Sequence, residues 1–427
     1  MSLSNVFEKI NQSQKSGANL RQQNFDFFKS QGLPTKSNEA WHYTSLKHLT
    51  DSDLEPEQEN LLSEKDLRQR LSNELNSDFF NLVFVNGIFR KEFSDIKSLA
   101  PLKLSFSEDY PATATGQAIE AAKKSAGKIQ ADSVEALRSA FTNETLIIEV
   151  PTDTSLAKPL HLIHFSSTEK SVYSKILLHL QSGSKLSFIE SFIGDDKKYL
   201  TNASCEFLIE DSANLEFARV QSESLTATHL GCSRFFLKKN SSLETLSYAA
   251  GGILSRHDLE IYCLGEQASA KVNGLTLSSG TQHFDNHTLI DHVVGACNTT
   301  QLYKSILDGQ SRAVFNGRVH IRAGAQKASS EQLNNNLLLS SKAEADSKPE
   351  LGIYADDVKA THGSTVGQLD AEEIFYFLSR AIPRAKAIEM LSLGFVKEII
   401  DRVSHPLIQS WLQDRLLQAY QKMKVKS

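Results

Sequence analysis

From residue 185 the sequence reads KLSFIESF (185–192), and NLEFARV follows at 214–220. Each run opens behind a small polar turn, Gly183-Ser184 and Asp211-Ser212-Ala213-Asn214. Asn240-Ser241-Ser242 precedes Leu243 in the same way, and Ala270 occupies a comparable place one interval later. Leu186, Leu215, Leu243 and Ala270 therefore lie 29, 28 and 27 residues apart. Strand-like runs recurring behind turns at a near-constant period describe a solenoid such as a parallel β-helix, in which each coil buries its apolar side chains against its neighbours. The drifting period and irregular turns leave a large sandwich or jelly roll as the alternative.

The same texture extends in both directions. LIIEV (146–150), PLHLIHF (159–165), KILLHL (175–180) and SRFFLKK (233–239) are short strand-like runs, with no 10–15-residue helical pattern between them. That argues against alternating βαβ units. Residues 145–369 are thus expected to form a β-helix core, with residues 1–144 a mostly helical N-terminal region and 370–427 a helical C-terminal one.

In the N-terminal region, NLRQQNFDFFKS (19–30) spaces Leu20, Phe25 and Phe28 for a helix that Gly32-Leu33-Pro34 ends. LVFVNGIFR (82–90) reads as two strand arms around Asn86-Gly87, suited to a type I′ hairpin turn. Residues 117–141 return to helix, with Ser133 as an N-cap. In the C-terminal region, Asp370 with Glu373 three residues on resembles a capping box. Ile374, Phe375, Phe377, Leu378 and Ile382 then form an apolar face. Pro383 fits the first turn of a second helix carrying Ile388, Leu391, Phe395, Ile399 and Val403. Pro406 precedes a third, with Leu407, Trp411, Leu412, Leu416 and Tyr420. Such stripes are packing faces first and partner surfaces second.

The chain has 427 residues, 40% of them hydrophobic and 23% charged, which suits a substantial core. A net charge of −5 argues against a dedicated nucleic-acid binder. MSLSNVFEKINQSQKSG lacks the pattern of a secretory signal, and no apolar run approaches the ~20 residues needed to span a bilayer. A cytoplasmic protein with no membrane partner is expected. Cys205, Cys232, Cys263 and Cys297 contain no CxxC pair and read as buried reduced thiols; a site built from the four would need convergence from distant strands.

No G-x-x-x-x-G-K-[ST], helix-opening G-x-G-x-x-G, H-E-x-x-H or G-x-S-x-G occurs, so neither nucleotide chemistry nor the corresponding hydrolytic chemistries are signalled. His283, His287 and His292 form the densest histidine group, but strand parity sends His292 to the face opposite the other two. His161 and His164 also have opposite parity. NNNLLLSSKAEADSKPELGIYADDVKATHGSTVGQLD (334–370) places Glu344, Asp346, Glu350, Asp356 and Asp357 near His362 in sequence. Carboxylates beside an imidazole can orient it for proton transfer or metal ligation; a solvated turn at the end of a solenoid is the plainer reading.

Residues 334–370 also resemble the C-terminal core motif of the SufB/SufD family of iron–sulfur cluster assembly scaffolds. The resemblance continues through SRAIPRAKAIEMLSLGFVKEIIDRV (379–403) and includes GLPTKSNEAWHYTSL (32–46) and AFTNETLIIEVPTDTSLAKPLHLIHF (140–165). It implies a right-handed parallel β-helix between helical ends. It also implies a non-catalytic scaffold that pairs with SufB, docks the SufC ATPase through its C-terminal part, and supports cluster assembly and iron acquisition. The SufD side of the family is favoured by the N-terminal match and by the lack of a cysteine in NNNLLLS (334–340), where SufB carries one.

Carried onto this chain, the family's DDVK-x-x-HG-x-T histidine is His362, a candidate ligand for a nascent iron–sulfur cluster shared with SufB. Some members have cysteine two residues earlier; Ala360 stands there, so the thiolate would have to come from SufB. Phe375, Leu378, Ile382, Leu391 and Phe395, within 371–403, are the candidate SufC-docking residues. No intrinsic cofactor is implied, and flavin binding by the whole complex is left open. A homodimer is expected in isolation, because an uncovered solenoid edge invites another strand. The competing readings are an exported β-helix polysaccharide lyase or hydrolase, and a homodimeric metal-binding protein using His283, His287 and His292.

Overall fold

The computed structural model describes residues 2–13, 16–57, 62–127, 129 and 132–424. Before the repeat come helices α1 (Leu3–Ser13), α2 (Ala18–Gln31) and α3 (Glu64–Leu71), then β1 (Phe80–Val85), β2 (Ile88–Phe89) and β3 (Lys103–Ser107), then α4 (Ala114–Ala126) and α5 (Ser133–Phe141). The coils follow as β4 (Thr145–Val150), β5 (Leu160–Ser166), β6 (Ser171–Leu180), β7 (Lys185–Gly194), β8 (Leu200–Ile209), β9 (Asn214–Gln221), β10 (Thr228–Leu237) and β11 (Ser242–Ala249). They continue as β12 (Leu254–Cys263), β13 (Ser269–Ser278), β14 (His283–His292), β15 (Asn298–Leu307), β16 (Arg312–Ile321), β17 (Ser329–Leu338), β18 (Glu344–Ile353) and β19 (Lys359–Gly367). Helices α6 (Ala371–Ser379), α7 (Arg384–Asp401) and α8 (Pro406–Lys424) close the chain.

Successive strands alternate between two sheets. One has the order β19-β17-β15-β13-β11-β9-β7-β5-β1-β2, the other β18-β16-β14-β12-β10-β8-β6-β4-β3. Pairing is parallel except for β1 with β2 and β3 with β4. This is a parallel β-solenoid with one strand from each coil in each sheet, which removes the sandwich and jelly-roll alternatives. Leu186 pairs in register with Leu215, Leu215 with Leu243, and Leu243 with Ala270. The period drifts because the turns change length while the register holds. Ser212, Asn240 and Gln267 each take a positive φ at successive turns, at 58°, 56° and 63°.

Alternate side chains point into the lumen and stack from coil to coil. Phe188 stacks on Phe217 at 5.6 Å between ring centroids, and Phe207 on Phe235 at 4.5 Å. Fully burying one such ring is worth about 1.5–3 kcal/mol, so each coil is held mainly by its neighbours.

Each outer face carries a helical coat. Phe7, Phe25 and Phe141, from α1, α2 and α5, cluster over Tyr173, Leu200, Leu230 and Leu254 of the even-numbered sheet. Ile119, Ala122 and Ala126 of α4 pack on Leu177, Leu208 and Phe236 of the same sheet. On the odd-numbered sheet, Val396, Ile399, Ile408 and Leu412 of α7 and α8 cover Ile189, Val220, Leu246 and Leu302.

The segment read as the N-terminal helical region also supplies solenoid strands. The hairpin forms at Asn86 (φ 50°) and Gly87 (φ 78°), both left-handed as a type I′ turn requires. Its first arm, β1, adds parallel to β5 and so begins the odd-numbered sheet before residue 144. The segment 117–141 is two helices: α4 ends at Gly127 (φ 94°), and residues 128, 130 and 131 lie outside the described residues. The N-cap of α5 is Asp132, not Ser133. Its carboxylate accepts from the Val134 N–H at 3.0 Å, and its negative charge suits a helix N-terminus.

At α6, Asp370 caps by accepting from the Glu372 N–H at 2.8 Å, without the reciprocal Glu373 bond of a full capping box. Pro383 is the N-cap of α7, one position before its first turn, whereas Pro406 opens α8 as its first residue.

Candidate assembly site at the open end of the solenoid

The coats cover the flanks but leave the last coil bare. β18 and β19 are terminal strands of their sheets, so each has one strand neighbour within its sheet and a free outer edge. Burial falls away across this end: β16 alternates buried and partly exposed positions, whereas β18 is half-exposed throughout and β19 mostly exposed. The cause is positional, since a lumen-facing side chain on the last coil has no further coil to stack on.

His362 lies on β19 in register with Gln332 of β17. It shares parity with Ala360, which packs on the lumen core, so it belongs to the open mouth of the lumen. Its imidazole is exposed and makes no side-chain hydrogen bond or ion pair among the described residues. The neighbouring acids do not serve it. Asp346 pairs with Arg312 at 2.6 Å, Glu344 with Arg312 at 3.6 Å, and Glu350 with Lys348 at 2.6 Å. Residues 344–353 form β18 of the even-numbered sheet, whereas His362 is on the odd-numbered one. Nearness in sequence is thereby undone by the turn.

Around this end runs an exposed apolar series: Ile353, Tyr354, Val366, then Phe375, Tyr376 and Leu378 on α6. Phe375 is 69% exposed and Leu378 41%. The other expected docking residues differ. Ile382, Leu391 and Phe395 are half-buried. Phe395 is tied to the solenoid: Lys304 Nζ sits 4.9 Å from its ring centroid and donates to its carbonyl at 2.9 Å. The helical stripe of α7 faces the protein's own sheet at that point.

The three histidines of β14 do not converge. His283 Nε2 bonds Thr44 Oγ1 at 2.8 Å, and His287 pairs with Asp285 at 3.0 Å, both on the outer face beneath the N-terminal coat. His292 points the other way, fully buried, with Nε2 3.0 Å from Thr299 Oγ1. A metal site shared by all three is therefore not formed. His161 faces outward to Ser191 (2.8 Å), and burial, aided by Arg415 and His164, lowers its pKa to about 3. His164 faces inward to Glu190 at 3.2 Å.

All four cysteines are free thiols, Cys232 half-buried and the rest buried. Burial pushes the thiols of Cys205 and Cys232 up, which suits unreactive reduced side chains.

A cleft of about 530 Å³ separates the N-terminal coat from the even-numbered sheet. Its charges are largely matched: Arg256 pairs with Asp258 at 2.7 Å and Asp285 at 3.0 Å and lies 3.9 Å from the Trp41 ring centroid, while Arg234 pairs with Glu260 at 2.7 Å. Sequence reasoning missed these outer-face ion pairs. Glu206, Arg234 and Glu260 are register partners 28 and 26 residues apart, so the coil period was the signal that could have found them.

The fold defines a two-sheet parallel β-solenoid whose last coil ends in two terminal strands. The family described as "SUF system FeS cluster assembly, SufBD core domain" matches residues 163–395, and "SufBD protein N-terminal region" matches residues 5–162. The iron–sulfur cluster assembly protein SufD of Escherichia coli is 31% identical over 87% of this chain and 85% of its own length. A SufBD family protein of Synechocystis is 30% identical over 94% of this chain and 89% of its own. SufD of Bacillus subtilis is 25% identical over 65% and 64%. The chain belongs to the SufB/SufD family of iron–sulfur cluster assembly proteins, on its SufD branch.

Proposed function

We propose that this chain is the SufD-like scaffold subunit of a cytoplasmic SUF assembly complex, pairing with SufB at the open solenoid end and docking the SufC ATPase through the exposed part of its C-terminal helices. The observation that carries the reading is the bare last coil, with two strand edges and an apolar series beside a partner-free imidazole. Unpaired strand edges are templates for a further strand, and backbone hydrogen bonds across them supply affinity. The nascent cluster is cargo held between subunits. Neutral imidazole from His362 is a competent iron ligand, and the thiolate comes from SufB. Work from ATP enters through SufC, consistent with the missing phosphate loop in this sequence. No helix among the described residues is long and apolar enough to cross a membrane.

The test is reconstitution with cognate SufB and SufC, following cluster formation by absorbance. His362→Ala should leave the complex assembled and reduce the rate of cluster formation at least about 10-fold, the scale of losing a ligand or its support. An unchanged rate would remove His362 from the chemistry. The paired change Phe375→Asp/Leu378→Asp should abolish retention of SufC in a pull-down while SufB stays bound. Both side chains are exposed, so folding should be little affected. Full SufC retention would move the docking surface off α6.

A further inference from the structure

We infer that Cys263, His292 and Cys297 form a buried three-ligand site inside the solenoid for one borderline-soft divalent metal ion, zinc or ferrous iron in class. It is separate from the open end. Among the described residues, these are the only group of three histidine, cysteine or acidic side chains whose ligand atoms all lie within 4.8 Å of one another.

The coil geometry assembles them. Cys263 ends β12, His292 ends β14, and the two are register partners on adjacent coils, 29 residues apart. Both point into the lumen. Cys297 follows in the turn before β15, where Ala296 takes a φ of 58° and brings the chain back. Gly295 is needed at that turn, because a Cβ there would lie 2.4 Å from the Gln326 carbonyl oxygen. All three ligand residues are fully buried.

Two further observations point to a ligand. The first is the histidine tautomer. Thr299 Oγ1 donates its proton to Ser330 Oγ at 2.9 Å, so it accepts from His292 Nε2–H at 3.0 Å. Nδ1 is then the ring nitrogen with the free lone pair, and it is buried without a nitrogen or oxygen hydrogen-bond partner. A histidine whose other N–H is fixed by a hydroxyl is prepared as a metal ligand.

The second is the ring of acceptors around Cys297. Its sulfur lies 3.4 Å from the Gly265 and Gly295 carbonyl oxygens and 3.5 Å from that of Val294. A single S–H serves one of them. Two sulfurs and an imidazole thus converge beside three carbonyl oxygens, an electron-rich lining suited to a cation.

The donor set is Cys₂His, typical of tetrahedral zinc sites, with a carbonyl or a water as the fourth ligand. Ideal Zn–S and Zn–N lengths place neighbouring ligand atoms about 3.5–3.8 Å apart, so atoms that now lie within 4.8 Å of one another would draw together on the ion. Binding releases the two thiol protons to solvent, and no redox change is involved. Because the lumen is closed around the site, the metal should enter during folding.

The experiment uses the full chain carrying a tag that does not bind metal. Wild type is unfolded with chelator and reductant, then refolded with Co²⁺ or Zn²⁺. Native mass spectrometry should show one tightly held ion, and the Co²⁺ form should absorb in the thiolate-to-metal charge-transfer region. Cys263→Ser/Cys297→Ser and His292→Ala should lose that signal, whereas Cys205→Ser and His362→Ala keep it. Should a variant fail to refold, wild-type mass and spectrum decide alone. Absence of a bound ion, retention of the thiolate band in the double variant, or a mass two hydrogens light from a Cys263–Cys297 disulfide would each overturn the proposal.

Discussion

Replacing Arg234 with alanine should destabilise the protein by about 3–5 kcal/mol, the cost of removing one partner from a buried ion pair. Arg234 lies on β10 with its side chain 3% exposed. It reaches Glu260 at 2.7 Å, Glu135 at 3.2 Å and Glu206 at 3.3 Å. Glu206 also meets Lys123 at 2.9 Å and Lys175 at 3.3 Å. Three carboxylates thus face three cations. Removing the guanidinium leaves the acids in excess beneath the N-terminal coat, and it releases Glu135 of α5 from the solenoid.

The pH dependence provides a second arm. Burial would raise the Glu206 pKa, but Lys123, Lys175 and Arg234 together outweigh burial and hold it near 2, below its ordinary value of 4.5. A depressed carboxylate contributes stability that is present above its unfolded pKa and is lost as pH falls through the folded one. The gap between wild type and variant should therefore be full at pH 7 and narrow as pH drops below about 4.5 toward 2. Urea unfolding at pH 7 and at pH 3.5, by circular dichroism, measures it. A gap under about 1 kcal/mol at pH 7, or one that widens in acid, would refute the balance described.

What could be read without coordinates was whatever repeats. Leu186, Leu215, Leu243 and Ala270 announced the coils because this one lumen position stays apolar from turn to turn, and these residues are register partners. The Asn86-Gly87 hairpin was legible because positive φ at two successive positions restricts the residues that fit. Its role as the start of the odd-numbered sheet was not, because joining a parallel neighbour leaves no local mark. His362 became a candidate through a resemblance alone, and its exposure follows from lying on the last coil.

The failures share a cause. Glu344, Asp346 and Glu350 were placed beside His362 by sequence distance, but a solenoid separates neighbours across a turn and unites residues one coil apart. Cys263 and His292 are separated by one coil period, as are Glu206 and Arg234 within a residue. Applying the observed period to charged and sulfur-bearing residues would have brought both groups together. Phe395 shows a different limit: an apolar helical stripe does not say how much of it the protein's own sheet covers, and Lys304 holds this residue to the solenoid.

The remaining large effect is expected at the open end. Introducing Val366→Asp together with Ile353→Asp should weaken association with SufB at least about 100-fold, or about 2.8 kcal/mol. Val366 on β19 is 50% exposed and Ile353 on β18 is 41% exposed, so in the free protein each carboxylate would remain in water. The thermal midpoint should accordingly move little. When a partner strand covers this coil, both charges lose solvent without an added cation. Burying an unpaired charge costs several kcal/mol, more than one exposed apolar side chain contributes to an interface. Val366→Ile, which keeps the surface apolar, should bind as wild type. The same aspartates should dissolve a homodimer of the isolated chain if it forms by edge pairing, read by light scattering after gel filtration. Undiminished SufB binding by the double variant, with folding intact, would show that the bare coil is not the pairing surface. His362 at its mouth would then lose its claim to an interfacial cluster, because an imidazole facing solvent alone has no thiolate to share the iron with.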